Sequence, residues 1–421
     1  LIYIINFALK KNPTQTKKFF FIFLLIIFSI NTSLNFSFDT RFEKIEKYEK
    51  KIETSVDNSN ITKTVIIILD EMIGRRAIDE EQNYGSEAKK SYIDLFEKYN
   101  FILYESAYSI YDNSEQAISS LLNFDIDTNE NNIDLYVNKR SLDNNTLWEI
   151  KRNKFFENNS SKDIISNKNH AINFCNSFVK KCFRSNAINN YGNYEITFDF
   201  NSTDYFLKEM SNQNSILLKF AFKFFEKIKV YKNYHYLTFN KAKFHNDLNN
   251  LSSIIKYEKG DIFLFHFLYP HRPFFYEINL KEKKCVFKKD KLKIKNDDIN
   301  VVLQQHYKEI ICTNYYLDKF LEKIFKDFKT KNTNIVILSD TGIKIGSKSK
   351  KENLKNYHSV LFASNIDNKI FKLDSSFISS QKLFNNFFNI KNNLLNEKST
   401  KIYDGKIGQY FLIDEFTFFS K

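Results

Sequence analysis

The chain has 421 residues, a formal net charge of +13, 8 Gly and 3 Pro. That length supports a large buried core and one or two domains. A positive balance suits nucleic-acid binding, but Lys and Glu are interspersed rather than clustered and no nucleic-acid motif is present, which excludes that class. Asn, Lys, Ile and Phe are abundant throughout, as in an AT-rich coding sequence, and this discounts the net charge as a functional clue.

Leu1 opens the sequence, and the apolar stretch 1–9 fits the tail of a preceding membrane helix. Lys10, Lys11, Lys17 and Lys18 then precede the continuous apolar run 19–30, which reaches about the length of a span when extended through 31–36. Basic residues before the run and fewer after it place its N-terminal side in the cytoplasm and the rest of the chain outside. No A-x-A-like cleavage site follows, so residues 1–38 are expected to be an uncleaved anchor rather than a signal peptide. Over 39–63, Glu and Lys alternate at helical spacing, which predicts a solvated helical stalk ending near Asp57 to Asn60.

The β-branched run 65–69 reads as a buried strand with Asp70 and Glu71 where it turns into a loop. A second run, 334–339, ends at Asp340. Buried parallel strands deliver ligand-binding residues at their C-terminal ends, so two carboxylates brought to one sheet edge make a site for a hard cation. A lone Asp after a strand is ordinarily a cap or turn residue; the pairing is what suggests function. A helix is expected over 91–99 and a strand over 101–108. Ser114 falls where a polar loop gives way to a helix carrying Ala117, Ile118, Leu121 and Leu122 on one face. Its hydroxyl there serves either as a plain N-cap or as a nucleophile, because a cation lowers the cost of the alkoxide and the free N–H groups favour an anionic ester.

The Asn-rich stretches 125–170 and 185–215 show poor periodicity and read as the substrate side. Cys175 and Cys182 are seven apart; their spacing allows a local disulfide in an exported domain and equally allows two buried thiols, whereas Cys285 and Cys312 stand alone. The apolar run beginning at Ile262 leads to His266 and His271, flanked by Pro270 and Pro273, and imidazole suits both metal ligation and contact with an anion. A strongly periodic helix is expected over 304–328.

Across residues 64–390 these motifs resemble the alkaline phosphatase superfamily, and within it the sulfatase-like, membrane-anchored proteins. The resemblance rests on the strand ending in Asp70-Glu71, on Tyr104 to Leu122 with the family's threonine nucleophile falling on Ser114, and on His266-Phe-Leu-Tyr-Pro270-His271-Arg-Pro273. It rests also on Asp340-Thr341-Gly342, where the family has Asp-His-Gly, and two weaker matches imply a strand over 357–362 with His358 near its start and a helix over 379–388. Thr341 replaces a histidine that is normally a metal ligand, and Asn123-Phe124 replaces a Thr-Gly pair. Cys175 and Cys182 echo a paired-cysteine segment of some relatives. The resemblance implies a three-layer α/β sandwich with a mostly parallel sheet, a catalytic domain over 64–395 and a C-terminal extension over 396–421. It implies a divalent ion (Mn, Mg, Ca or Zn) held by Asp70, Glu71, Asp340, Thr341 and His358; a threonine hydroxyl in the histidine's place shifts the preference towards the harder ions. Ser114 would attack a phosphate or sulfate ester, with His271 and His266 on its charged oxygens. The chain would then be an extracytoplasmic hydrolase or transferase tethered to the membrane, acting on an envelope glycan or lipid and on no nucleic acid. Two rival readings are a degenerate member that binds an envelope partner without catalysis and an unrelated anchored structural protein.

Overall fold

The computed structural model describes residues 42–44, 62–124, 137–139, 148–150, 154–168, 172–184, 244–272, 274–279, 284–288, 299–327, 333–345, 350–366, 368, 370–388, 399–404 and 409–419. The chain divides into two units, Leu1–Phe42 and Glu43–Lys421, and the second is the subject here. The expected anchor over 1–38 lies outside the described residues, and among those described no helix is long and apolar enough to cross a membrane. Within the expected helical stalk, Phe42–Lys44 forms a strand, and 45–61 lie outside the described residues. Of the Asn-rich stretches, 185–215 lies wholly outside the described residues and 125–170 does so in part, including 125–136.

In chain order the second unit runs β1 (Lys63–Asp70), α1 (Gly85–Lys98), β2 (Ile102–Tyr104), β3 (Ala107–Tyr108), α2 (Ser114–Leu122), β4 (Ile164–Lys168), α3 (Phe244–Tyr257) and β5 (Ile262–Pro270). It continues with β6 (Tyr276–Asn279), β7 (Lys284–Phe287), α4 (Ile299–Asp327), β8 (Thr333–Ser339), α5 (Lys350–His358), β9 (Phe362–Ser364), β10 (Lys372–Asp374), β11 (Ile378–Ser379) and α6 (Ser380–Phe388). A hairpin of β12 (Ser399–Asp404) and β13 (Gln409–Asp414) and the short helix α7 (Glu415–Phe419) close the chain.

The main sheet has the order β10-β2-β9-β8-β1-β5-β4 and continues beyond β4. The centre, β8-β1-β5-β4, is parallel, while β9 runs antiparallel to both β8 and β2. The central strands read as unbroken apolar runs because both faces are covered: every residue from Val65 to Leu69 is 0% exposed. Val65, Ile67 and Leu69 join Phe96 of α1, Leu251 of α3 and Leu317 of α4 in one core cluster, so these three helices cover one face. Leu338 is registered opposite Phe362, and the Phe387 ring of α6 stacks on Phe362 at 5.9 Å. Paired residues share a face, so α6, with α2 packed against it, covers the other. The result is a three-layer α/β arrangement around a mostly parallel sheet.

Lys63 opens β1 with 2% exposure, and burial lowers its ammonium to about 8. Its Nζ donates to the Ile255 carbonyl at 2.5 Å and the Glu258 carbonyl at 3.4 Å. These groups end α3, where helix carbonyls lack internal partners. Lys63→Met is expected to destabilise the fold by about 1–3 kcal/mol, because it leaves buried acceptors without a donor. A denaturation midpoint equal to that of the wild type would show that the carbonyls find other partners.

Three sequence expectations need correction. The stretch 101–108 is two strands rather than one: β2 lies in the main sheet, while β3 pairs with β11 in a separate one. The break falls at Glu105-Ser106, held by the Arg75–Glu105 ion pair and by Arg76 Nη1 donating to Ser106 Oγ at 2.9 Å. His358 ends a helix, and strand structure begins only at Phe362. Cys285 and Cys312, 27 residues apart, are bonded to each other with their Cα atoms 5.5 Å apart, joining β7 to α4. Cys175 and Cys182 are also paired, and no free cysteine remains. The C-terminal segment packs onto the unit: Tyr403 N donates to Ile110 O at 2.8 Å, and Phe418 is buried beside Tyr108 and Phe377.

Candidate active site

Because β8, β1 and β5 are parallel and in register, their C-terminal ends emerge side by side: Leu69 lies between Ser339 and Phe267, and Asp70 beside Pro270. Asp70-Glu71, Asp340-Thr341 and His271-Arg272 therefore share one sheet edge, the usual ligand-binding position in such folds. Backbone and hydroxyl bonds stitch the edge together. Asp340 N donates to Leu69 O at 3.1 Å and Glu71 N to Asp340 Oδ1 at 3.3 Å. Ser339 Oγ lies 3.0 Å from Leu69 O and 2.7 Å from Thr341 O, and accepts from Met72 N at 2.8 Å. These bonds hold Glu71 at φ 61°, a left-handed conformation that costs a non-glycine residue about 1–2 kcal/mol and is tolerated mainly at functional turns. The neighbouring loop needs Gly342: a Cβ there would lie 2.0 Å from Asn356 O and 2.7 Å from Ser359 O.

Three carboxyl groups are buried at this edge, with Asp70 5%, Glu71 3% and Asp340 3% exposed. Burial pushes Asp70 well above the usual carboxylate range, and the charges of Asp340 and Glu71 push it further; His266 and Lys344 pull the other way. Burial also acts to raise Asp340, but His266, the Ser114 hydroxyl and the Thr341 N–H outweigh it and hold Asp340 below its ordinary value. The cluster thus keeps Asp340 charged while Asp70 takes up a proton first. One consequence concerns stability. With its folded-state affinity for protons raised, Asp70 contributes stability at low pH that is lost as pH rises past the ordinary value near 4 and through the folded-state value. Without divalent ions, Asp70→Asn is therefore expected to be more stable than wild type at pH 8 and indistinguishable from it at pH 3 in thermal unfolding. A variant less stable than wild type at pH 8 would contradict the repulsion.

The donor chemistry suits a hard cation. Among the described residues, Glu71 Oε2 and Asp340 Oδ2 are buried without a hydrogen-bond partner, and clustered carboxylate oxygens are the ligands that Mg²⁺, Mn²⁺ and Ca²⁺ prefer. Among the described residues, however, no three His, Cys, Asp or Glu side chains converge as a ready ligand set.

Ser114 stands at the first position of α2. The capping task belongs to its neighbour: Asn113 is extended and its Oδ1 accepts from Gln116 N at 3.0 Å. The Ser114 hydroxyl stands near enough to the Asp340 carboxylate to help hold it in its charged form, and with Asn113 as the cap the plain N-cap reading of Ser114 falls away. His266 is 1% exposed, with Nε2 3.8 Å from Asp340 Oδ2. Its backbone is clasped by the Asn167 amide, which accepts from His266 N at 2.9 Å and donates to His266 O at 2.9 Å. His271 lies at the rim, its side chain 42% exposed and its Nε2 3.6 Å from Glu71 Oε1. Thr341 is buried; its N–H donates to Asp340 Oδ1 at 2.6 Å and its Oγ1 lies 3.5 Å from the same oxygen. His358 sits against Ser109: its Nδ1 is 2.9 Å from Ser109 O, and Ser109 N donates to His358 O at 2.7 Å.

The edge thus gathers Asp70, Glu71, Ser114, His266, His271, Asp340 and Thr341, while the described contacts of His358 serve the segment that leads to Ser114. Sequence reasoning did not single out Asn167, Arg272, Glu115 or Lys344. Arg272 Nη2 donates to Lys344 O at 2.6 Å, and Lys344 acts electrostatically on both Asp70 and Glu115. Arg272 carried a signal, lying between His271 and Pro273; Lys344 carried none in so lysine-rich a chain.

No protein-family model and no characterised protein sequence matches the chain. Among solved structures it is similar to the C-terminal periplasmic domain of EcEptC from Escherichia coli, with 15% identity and a TM-score of 0.45 over 86% of this chain and 94% of that one. It is similar also to the lipoteichoic acid synthase LtaP from Listeria monocytogenes, with 11% identity and a TM-score of 0.43 over 87% of this chain and 85% of that one. A third is BT1596, a 2-O GAG sulfatase, with 10% identity and a TM-score of 0.44 over 82% of this chain and 78% of that one.

Proposed function

We propose that the chain is a hydrolase or transferase of phosphate or sulfate esters, with Ser114 as the nucleophile. The observation that carries this reading is that Asn113, not Ser114, caps the helix, while the Ser114 hydroxyl stands beside the buried Asp340 carboxylate and helps hold it charged. Ser114 Oγ attacks phosphorus or sulfur; the new Oγ bond forms as the ester bond to the leaving oxygen breaks. Asp340 orients the hydroxyl and takes its proton, which is passed on to the leaving oxygen. His271 at the rim, and His266 behind Asp340, offset negative charge on the ester oxygens. The intermediate is resolved by water in a hydrolase, or by an acceptor hydroxyl on an envelope glycan or lipid in a transferase. Asp70, Glu71 and Asp340 would hold a divalent cation, with the Thr341 hydroxyl as an added hard ligand. When bound, that ion would supply Lewis acidity and relieve the repulsion among the carboxylates. His358, whose Nδ1 lies against Ser109 O, is kept as a further candidate ligand through its Nε2.

The domain is proposed to act outside the cytoplasm, tethered through residues 1–38. Two disulfides that use all four cysteines suit an oxidising compartment. The unconverged ligand set favours a second reading, a catalytically silent fold that binds an envelope ester. Turnover of 4-nitrophenyl phosphate, its diester and 4-nitrophenyl sulfate, measured with Mn²⁺, Mg²⁺, Ca²⁺ or Zn²⁺, separates the two. Cation-stimulated release of nitrophenol supports the enzyme. Measured cation binding with no release from any ester favours the silent fold.

A further inference from the structure

We propose that Lys344 and Arg272 form the anion-binding wall of this site, holding the charged oxygens of the ester opposite the buried carboxylates. The proposal rests on the ester-transfer reading and adds the groups that admit an anion. Asp70, Glu71, Asp340 and Glu115 all lie at the site, and such a concentration of acid repels a phosphate or sulfate ester unless cations face it. Lys344 is placed to do this: it lies between buried Ile343 and Ile345, is only partly buried itself, and its charge is felt both by Asp70 at the sheet edge and by Glu115 beside Ser114. Among the described residues, neither Lys344 nor Arg272 forms an ion pair with a carboxylate.

The two loops that carry the wall are tied together. Arg272 Nη2 donates to Lys344 O at 2.6 Å, tying the loop after β5 to the loop after β8. A guanidinium has five N–H donors, so this bond leaves others for an ester oxygen, and a forked donor suits one. Just beyond the loop, Glu309 of α4, 0% exposed, accepts from Phe275 N and from Tyr276 N at 2.7 Å, while Gln305 Nε2 donates to Tyr276 O at 2.8 Å. Donors fixed in advance cost little reorganisation when the anion arrives.

The test uses the full chain with inorganic phosphate and inorganic sulfate as probes, read by calorimetric binding and by competition with aryl ester turnover. Lys344→Met leaves the Arg272 bond intact, because that bond goes to a backbone carbonyl; Lys344→Gln serves if the methionine variant misfolds by circular dichroism. The expected result is binding of at least one anion about tenfold weaker or more, a matching rise in KM, a smaller change in kcat, and recovery in Lys344→Arg. Anion affinity and KM unchanged in both Lys344→Met and Arg272→Met overturn the wall, as does a wild-type chain that binds neither anion. Anion binding without turnover of any ester would instead overturn the ester-transfer reading while keeping the wall.

Discussion

Ser114→Ala is expected to lower ester turnover by at least about a thousandfold, the scale seen when a nucleophile that acts as a unit with its partners is removed, while the fold and anion binding persist. The cause is local. Ser114 Oγ is the hydroxyl set against Asp340, and Asn113 already caps α2, so the alanine removes no cap. Stability should therefore move by less than about 0.5 kcal/mol. Steady-state turnover and thermal unfolding, measured together, check this: full turnover in the variant would remove Ser114 from the mechanism, and unfolding would reveal a structural role.

Asp340→Ala should be equally severe for activity, again about a thousandfold or more, but for broader reasons. Its carboxylate accepts from Glu71 N and Thr341 N, lies against the Ser114 hydroxyl, and faces His266 across 3.8 Å. Removing it frees the turn that holds Glu71 in its left-handed conformation and withdraws one of the acids that would hold a cation. Divalent-ion content by elemental analysis should fall with turnover. Asp340→Asn separates shape from charge, because the amide oxygen can still accept from Thr341 N. Turnover retained in the asparagine variant would mean that geometry alone suffices and that the charge on Asp340 is dispensable.

The parts of the molecule that the sequence made legible share one physical property: they are local. The strands β1, β5 and β8 stand out because a parallel strand buried on both faces is a continuous apolar run, and the acids at their ends follow directly. Even α4 shows its full periodicity, although it begins at Ile299 rather than near residue 304. What stayed hidden depends on distant partners. The Asn167 clasp on His266 spans 99 residues, and the Cys285–Cys312 bond spans 27; neither leaves a periodic mark. The division of 101–108 into two sheets was masked because apolar residues continue on both sides of Glu105-Ser106, and the turn is fixed by arginines about thirty residues earlier. Lys344 is set in place by Arg272 across 72 residues, and in a chain with 63 Lys and Arg no single lysine announces itself.

Acid-quenched mass spectrometry of the chain after mixing with a phosphate or sulfate ester and a divalent ion, followed by peptide mapping, tests the central claim most directly. The predicted result is one phosphoryl or sulfuryl group on Ser114 in the wild type and none in Ser114→Ala. Turnover with no adduct at any quench time, or an adduct that persists in Ser114→Ala, would contradict the account.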